Sequence, residues 1–175
     1  QNLHLSKSRD FNTLADSAMP DDIARAAERQ GCAGVAYTYN DPVIFAEYAI
    51  DTAIACHQRG LVNVAVTAGY VNPEARADFF AVMDAANVDL KGFNDTFYQQ
   101  VTGARLQPVL DTIRYLVHET AVWVELTTLL IPGHNDATSE LRAMCGWVAE
   151  ELGPDVPMHF SAFHPDHRMR HIPAT

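Results

Sequence analysis

Short β-rich runs in this chain alternate with apolar-periodic stretches, the first two opened by an Asp-Pro or Asn-Pro pair, and this repeat constrains the fold more than any other feature. Residues 33–39 form the first such run and close at Asn40-Asp41-Pro42. Asp41 suits a helix N-cap and Pro42 the first helical position, where a missing N–H costs nothing. Ile44, Tyr48, Thr52 and Cys56 then make one stripe, which Gly60 ends. Val62 to Thr67 repeats the pattern, with Asn72-Pro73 as the second cap and opening pair. Further strands are expected at Val88 to Lys91, Ala121 to Ile131 and Val156 to Ala162. Helices are expected from Pro20, across Phe93 to Val101, from Pro108, and after an Asn135-Asp136 cap with Leu141, Cys145, Val148 and Leu152 inward. Residues 1–18 read as loop with a turn of helix.

Strand and helix in alternation with short connections imply an α/β fold with a parallel sheet and right-handed crossovers. Both an open doubly wound sheet and a barrel-type fold accommodate five strands. The strands lean toward the barrel, because most carry a polar pair in one phase: Thr38 and Asn40, Asn63 and Thr67, Asp89 and Lys91, Glu125 and Thr127, His159 and Ser161. A doubly wound sheet buries both faces under helices and favours apolar residues on each.

The chain has 175 residues and a formal charge of −10, with no basic cluster beyond Arg168 and Arg170. This composition argues against a nucleic-acid partner and against an anionic membrane surface. No apolar run approaches the roughly 20 residues of a membrane span. Cys32, Cys56 and Cys145 are widely spaced and odd in number. They read as buried thiols of a reducing cytoplasm, not as a disulfide frame.

Lysine occurs only at positions 7 and 91, so Lys91 inside Val88-Asp89-Leu90-Lys91-Gly92 is not routine surface solvation. On a strand, Asp89 and Lys91 share one face and Val88 and Leu90 the other. The plain reading is an ion pair closing a strand end. Two charges on a dry inward face cost several kcal/mol per ion when poorly paired, which a pocket for a charged small molecule would turn to use. There Lys91 offers a cation for a carboxylate, Asp89 and Asp41 offer acceptors for an ammonium, and Thr67 and Asn40 can bond hydroxyls. A Schiff-base lysine of a lyase is an alternative for Lys91. His159, His164, His167 and His171 raise a metal site, although the segment holding the last two reads better as exposed polar tail.

Several separated stretches carry a family resemblance: Gln1-Asn2 with Leu5-Ser6, Tyr37 to Pro42, Asp89-Leu90-Lys91-Gly92-Phe93, Leu129 to Asp136, and His159 to Pro165. Together they resemble radical S-adenosylmethionine (SAM) enzymes of the pyruvate formate-lyase activating type, most closely the branch named for the AmmeMemoRadiSam system. The resemblance implies a partial (β/α)6 TIM-like barrel over residues 1–164, with 165–175 as a tail or loop. It also implies a [4Fe-4S] cluster whose free iron chelates SAM, with reductive cleavage to a 5'-deoxyadenosyl radical that abstracts hydrogen from an unknown substrate. By analogy with the activating enzymes, that substrate would be a glycyl-radical protein.

Carried over residue by residue, the resemblance places Asn40 and Asp41 at the methionine ammonium and Thr67 and Gly69 in a turn near the cofactor. Lys91 of the Asp89-Leu90-Lys91 motif meets the carboxylate, and His164 faces the cofactor from the last strand end. Leu3, Val66, Ala68 and Thr127 depart from the family pattern. Gln1 is expected to follow directly on the third cluster cysteine, so the first strand and the cluster loop would lie upstream. The present chain by itself is then expected to be inactive, a nucleoside- or partner-binding barrel able to self-associate through an open sheet edge.

Overall fold

The computed structural model describes residues 18–175. The expected loop at the start, the resemblance carried by Gln1, Asn2, Leu5 and Ser6, and the departure at Leu3 fall outside the described residues, apart from Ala18 at the end of that loop.

Helix α1 spans Pro20–Arg29, strand β1 Gly34–Tyr37, helix α2 Ala46–His57 and strand β2 Val62–Thr67. Helix α3 spans Pro73–Phe80 and strand β3 Ala85–Asp89, followed by the short helix α4 (Asp95–Phe97) and a π-helical turn (Tyr98–Thr102). Helix α5 (Leu106–Glu119), strand β4 (Trp123–Leu130), helix α6 (Thr138–Trp147) and strand β5 (Met158–Ala162) complete the regular elements. The strands follow one another in the sheet in sequence order, β1-β2-β3-β4-β5. A doubly wound sheet reverses its strand order at a switch point. This sheet has no reversal, which decides for the barrel type of the two architectures the sequence leaves open.

The chain divides into two compact units, one comprising residues up to Thr67 with Pro73–Ala86, the other Ala68–Asn72 with Asn87–Thr175. In the first, β1 and β2 pair in parallel with Gly34 opposite Val62 and Tyr37 opposite Ala65. Pro20 heads α1, and Asp22 accepts the Met19 N–H at 3.0 Å, satisfying a donor the helix end cannot. Ala24, Cys56 and Leu61 form a small core with Ala27, Val35 and Ala55 packed on it. Pro42–Phe45 make a 3-10 turn before α2 begins at Ala46, so the expected stripe fails at its start: Ile44 and Tyr48 are exposed, whereas Thr52 and Cys56 are buried.

In the second unit, β4 pairs in parallel with β5, Thr127 opposite His159 and Leu129 opposite Ser161. Val124, Leu126 and Thr128 are buried, while Trp123 and Leu129 of the alternate phase are exposed. That alternation is the one-face-open pattern expected of barrel strands. Met144, not Cys145, carries the buried stripe of α6 on to Val148 and Leu152. Beyond β5, the Thr175 hydroxyl donates to the Leu130 carbonyl and accepts the Phe163 N–H, fastening the segment back onto the end of β4.

The expectation of three buried thiols is corrected, while the shared phase of Asn63 and Thr67 on β2 holds. Cys32 and Cys145 are exposed, and only Cys56 is a buried thiol. Asn63 faces the helix layer, donating to the Ala53 carbonyl of α2 (3.1 Å) and accepting the Tyr37 hydroxyl (3.0 Å), so its buried amide is a structural clasp.

Candidate functional site

The β3 ladder runs over Ala85–Asp89 and stops two residues before Lys91, so the strand expected at Val88 to Lys91 is displaced toward the N-terminus. The alternation survives: Val88 and Leu90 are fully buried and Asp89 points the other way. Lys91 Nζ meets Asp89 Oδ2 at 2.6 Å, with the two side chains 39% and 36% exposed. At that exposure the pair is screened, and the penalty for dry charges does not arise.

Because Lys91 lies past the ladder, side chains hold the backbone around it. The Leu90 carbonyl accepts from Thr128 Oγ1 at 2.7 Å, the Lys91 N–H donates to the Tyr98 hydroxyl at 3.2 Å, and the Lys91 carbonyl accepts from Asn135 Nδ2 at 2.6 Å. Phe93 N and Asn94 Nδ2 donate to the two oxygens of Glu140, each at 2.7 Å. Burial pushes the Tyr98 phenol up to about 12, the nearby Asp89 charge adding to this and the Lys91 N–H opposing it. Tyr98 is therefore a neutral hydroxyl across the working pH range.

Asp89 and Lys91 line a cavity of about 550 Å³. Phe97, Val101, Leu129 and Ile131 give it an apolar wall, and Thr102, Thr127 and Ser161 supply hydroxyls. A cavity of this size suits a small molecule with one charged end and an apolar body. Further along the same strand face, His159 Nε2 lies 2.8 Å from Glu125 Oε2, and Trp123 Nε1 donates to Glu125 Oε1 at 3.1 Å. The Trp123 donor first, and His159 next, hold the Glu125 carboxyl below its ordinary range.

Of the residues singled out in the sequence, Asn40, Asp41 and Thr67 belong to the first unit, and Gly69, Asp89, Lys91 and His164 to the second. Asp41 and Thr67 are brought together, since Asp41 Oδ1 accepts both the Thr67 hydroxyl at 2.9 Å and the Val43 N–H at 3.2 Å. Asn40, half-buried, precedes this turn and follows Tyr39, whose φ of 74° is unusual for a side-chain-bearing residue. Gly69 has a φ of 65°, and a Cβ there would lie 2.9 Å from Val88 Cγ1, so both backbone and space demand glycine. His164 is exposed just beyond β5.

Sequence reasoning missed Tyr98, Asn135 and Glu140. Asn135 suits a helix cap by residue type, but α6 starts at Thr138, and the Asn135 side chain is spent on the end of β4 and on Lys91. The turn itself is held by Asp136, which accepts the Gly133 N–H at 2.9 Å.

The described residues contain no group of three His, Cys, Asp or Glu able to hold a metal ion. They therefore do not fit an iron-sulfur cluster. An amino-acid head group fits the donor set at the cavity better, with a cation at Lys91 beside a carboxylate at Asp89. Among the described residues no helix is long and apolar enough to cross a membrane.

Solved structures share this architecture. A domain of pyruvate-formate lyase-activating enzyme from Bacteroides vulgatus superposes with a TM-score of 0.67 at 20% identity, over 79% of this chain and 89% of that one. Streptococcus suis SuiB bound to S-adenosylmethionine gives 0.71 at 11% identity, over 91% of this chain and 37% of that one. SuiB bound to the precursor peptide SuiA gives 0.64 at 12% identity, over 78% and 31%. At these identities the likeness is one of fold. An uncharacterised protein of Methanocaldococcus jannaschii is 38% identical over 156 residues, which are 89% of this chain and 46% of that protein. The chain thus spans about half the length of this curated relative. The Radical SAM superfamily matches residues 7–145, and with most of its length inside that match the chain belongs to this superfamily.

Proposed function

We propose that this chain is the cofactor-binding part of a SAM-dependent radical enzyme of the activating-enzyme type, within the AmmeMemoRadiSam branch. The observation that carries the reading is the Lys91 ammonium beside Asp89 at the charged end of a cavity with an apolar wall. In this reading Lys91 binds the SAM carboxylate, and Asn40 and Asp41 receive the methionine ammonium. Thr67 holds Asp41 in place and Gly69 allows close backbone approach. Asp89 orients the lysine, and His164 contributes from the end of β5. SAM bound with a reduced iron-sulfur cluster would supply hydrogen-abstracting chemistry; the described residues of this chain supply the SAM-binding groups and no cluster ligands. A peptide or protein is the substrate class we favour, supported by SuiB, a neighbour in fold bound to a precursor peptide. A cytoplasmic enzyme is consistent with this chemistry.

The test is an anaerobic assay of the full-length protein with dithionite and SAM, reading 5'-deoxyadenosine. Formation of the nucleoside, lost in Lys91→Ala, is the expected result. SAM left intact by cluster-loaded protein would overturn the reading in favour of a non-catalytic binding barrel. A borohydride-trapped adduct on Lys91 would instead indicate a lysine-dependent lyase.

A further inference from the structure

Lys91 stands where no strand neighbour fixes its backbone, and Asn135 supplies the bond that replaces the ladder there. Asn135 is fully buried. Its Nδ2 donates to the Lys91 carbonyl at 2.6 Å and to the Leu129 carbonyl at 2.9 Å, and its Oδ1 accepts the Ile131 N–H at 2.7 Å. Both amide donors and one of the two acceptor sites are thus spent on these strand ends, and the helix that follows starts only at Thr138 with Ala137 at its cap. The same side chain joins the Lys91 backbone to the Leu129–Ile131 stretch, whose two end residues line the cavity.

We infer that Asn135 is a positioning residue that sets Lys91 against the cavity, a role resting on the binding function proposed above for Lys91. Glu140 assists by holding Phe93 and Asn94 with its two oxygens. The lysine side chain has four rotatable carbons and is poorly ordered by itself, so the direction from which its ammonium enters the cavity depends on a fixed backbone. A displacement of about 1 Å in such a group is enough to spoil its function.

The test is a double-mutant cycle in the full-length protein, reading SAM affinity by equilibrium dialysis together with amide hydrogen exchange over residues 90–94. Asn135→Ala is expected to weaken SAM binding about tenfold, the size of one or two lost hydrogen bonds. Combined with Lys91→Ala, it should cost nothing beyond Lys91→Ala alone, because it acts through that residue. Additive losses, or unchanged affinity in Asn135→Ala, would overturn the inference. If Asn135→Ala fails to fold, Glu140→Gln is carried through the same cycle: a loss that vanishes in the Lys91→Ala background upholds the inference, and an additive or absent loss overturns it. Should Lys91→Ala leave SAM affinity unchanged, the proposed function itself falls. Hydrogen exchange then decides the positioning role separately: faster exchange at Lys91 and Phe93 in Asn135→Ala upholds it, and unchanged exchange overturns it.

Discussion

Thr67, the last residue of β2, donates its hydroxyl to Asp41 Oδ1 across 2.9 Å, tying the end of one strand to the turn that follows its parallel neighbour. Asp41 also accepts the Val43 N–H, so the carboxylate is fixed by two donors before any ligand arrives. Thr67 is 2% exposed, and a valine there would keep the shape but lose the hydroxyl. Thr67→Val is expected to lower stability by about 1 kcal/mol, the net worth of a typical hydrogen bond. It should also weaken SAM binding in the full-length protein several-fold. Urea unfolding and equilibrium dialysis read the two effects; a stability loss with no change in affinity would separate Asp41 from the site.

Asp84 makes a second clasp in the same unit, its Oδ2 accepting the Asn63 N–H at 2.7 Å and meeting His57 Nε2 at 2.9 Å. Partial burial pushes its carboxyl up, but the Asn63 and His57 bonds outweigh this and leave it below the ordinary value of 3.8. A carboxyl lowered by folding contributes stability that is complete above its unfolded value and is lost as pH falls through the folded one. The urea midpoint of the wild type should therefore drop more steeply below pH 3.8 than that of Asp84→Asn. The side chain is 43% exposed, so the difference will be modest. Parallel acid limbs in the two proteins would count against the clasp.

Gly92 separates Lys91 from Phe93 and is buried against a ring. A Cβ at this position would come within 2.6 Å of Phe97 Cδ1, and Phe97 is itself buried. Overpacking a confined site costs about 1–3 kcal/mol, so Gly92→Ala should lower the melting temperature by several degrees. The companion variant Gly92→Ala/Phe97→Leu, which gives the methyl room, should recover part of the loss. Failure to recover would place the strain in the backbone instead of the ring.

How far the sequence discloses this arrangement varies with the physics of each element. β2 is legible from Val62 to Thr67 because valines, a threonine and flanking turns all point the same way. β3 begins three residues before its sequence suggests, because Ala85, Ala86 and Asn87 have weak strand preference and only the sheet supplies their pairing. The Asp89 and Lys91 pairing is readable from their spacing, since two residues apart on extended backbone share a side. The role of Asn135 is not, because a cap and a buried strap use the same residue type and differ only in long-range partners. The apolar stripe of α6 points to Cys145 as its inward residue, whereas Met144 carries it, a difference of one position on a helix face.

That one-position difference has a chemical consequence for the three thiols of the chain. Cys32 and Cys145 are exposed, and burial raises the Cys56 thiol above its ordinary value, with Tyr37 and Arg59 opposing. Ellman's reagent should therefore titrate Cys32 and Cys145 rapidly in the folded protein and Cys56 only after denaturation. Mass spectrometry of the labelled protein identifies the reacted sites. Rapid reaction at Cys56 would show that the small core around Ala24 and Leu61 opens readily.

Lys91→Ala separates function from fold most directly. The Lys91–Asp89 pair is more than a third exposed on both sides, and pairs of this kind contribute about 0–1 kcal/mol. The backbone bonds around position 91, to Tyr98 and Asn135, use its N–H and carbonyl and survive the substitution. The melting temperature should therefore hardly move. The cavity, by contrast, loses the cation assigned to the SAM carboxylate, and a charge-assisted hydrogen bond is worth roughly twice a neutral one. In the full-length protein, SAM affinity should fall by at least about tenfold, and Lys91→Arg should restore only part of it because the planar guanidinium presents its donors differently. A large loss of stability with affinity intact would reverse the assignment and make the lysine a structural strut.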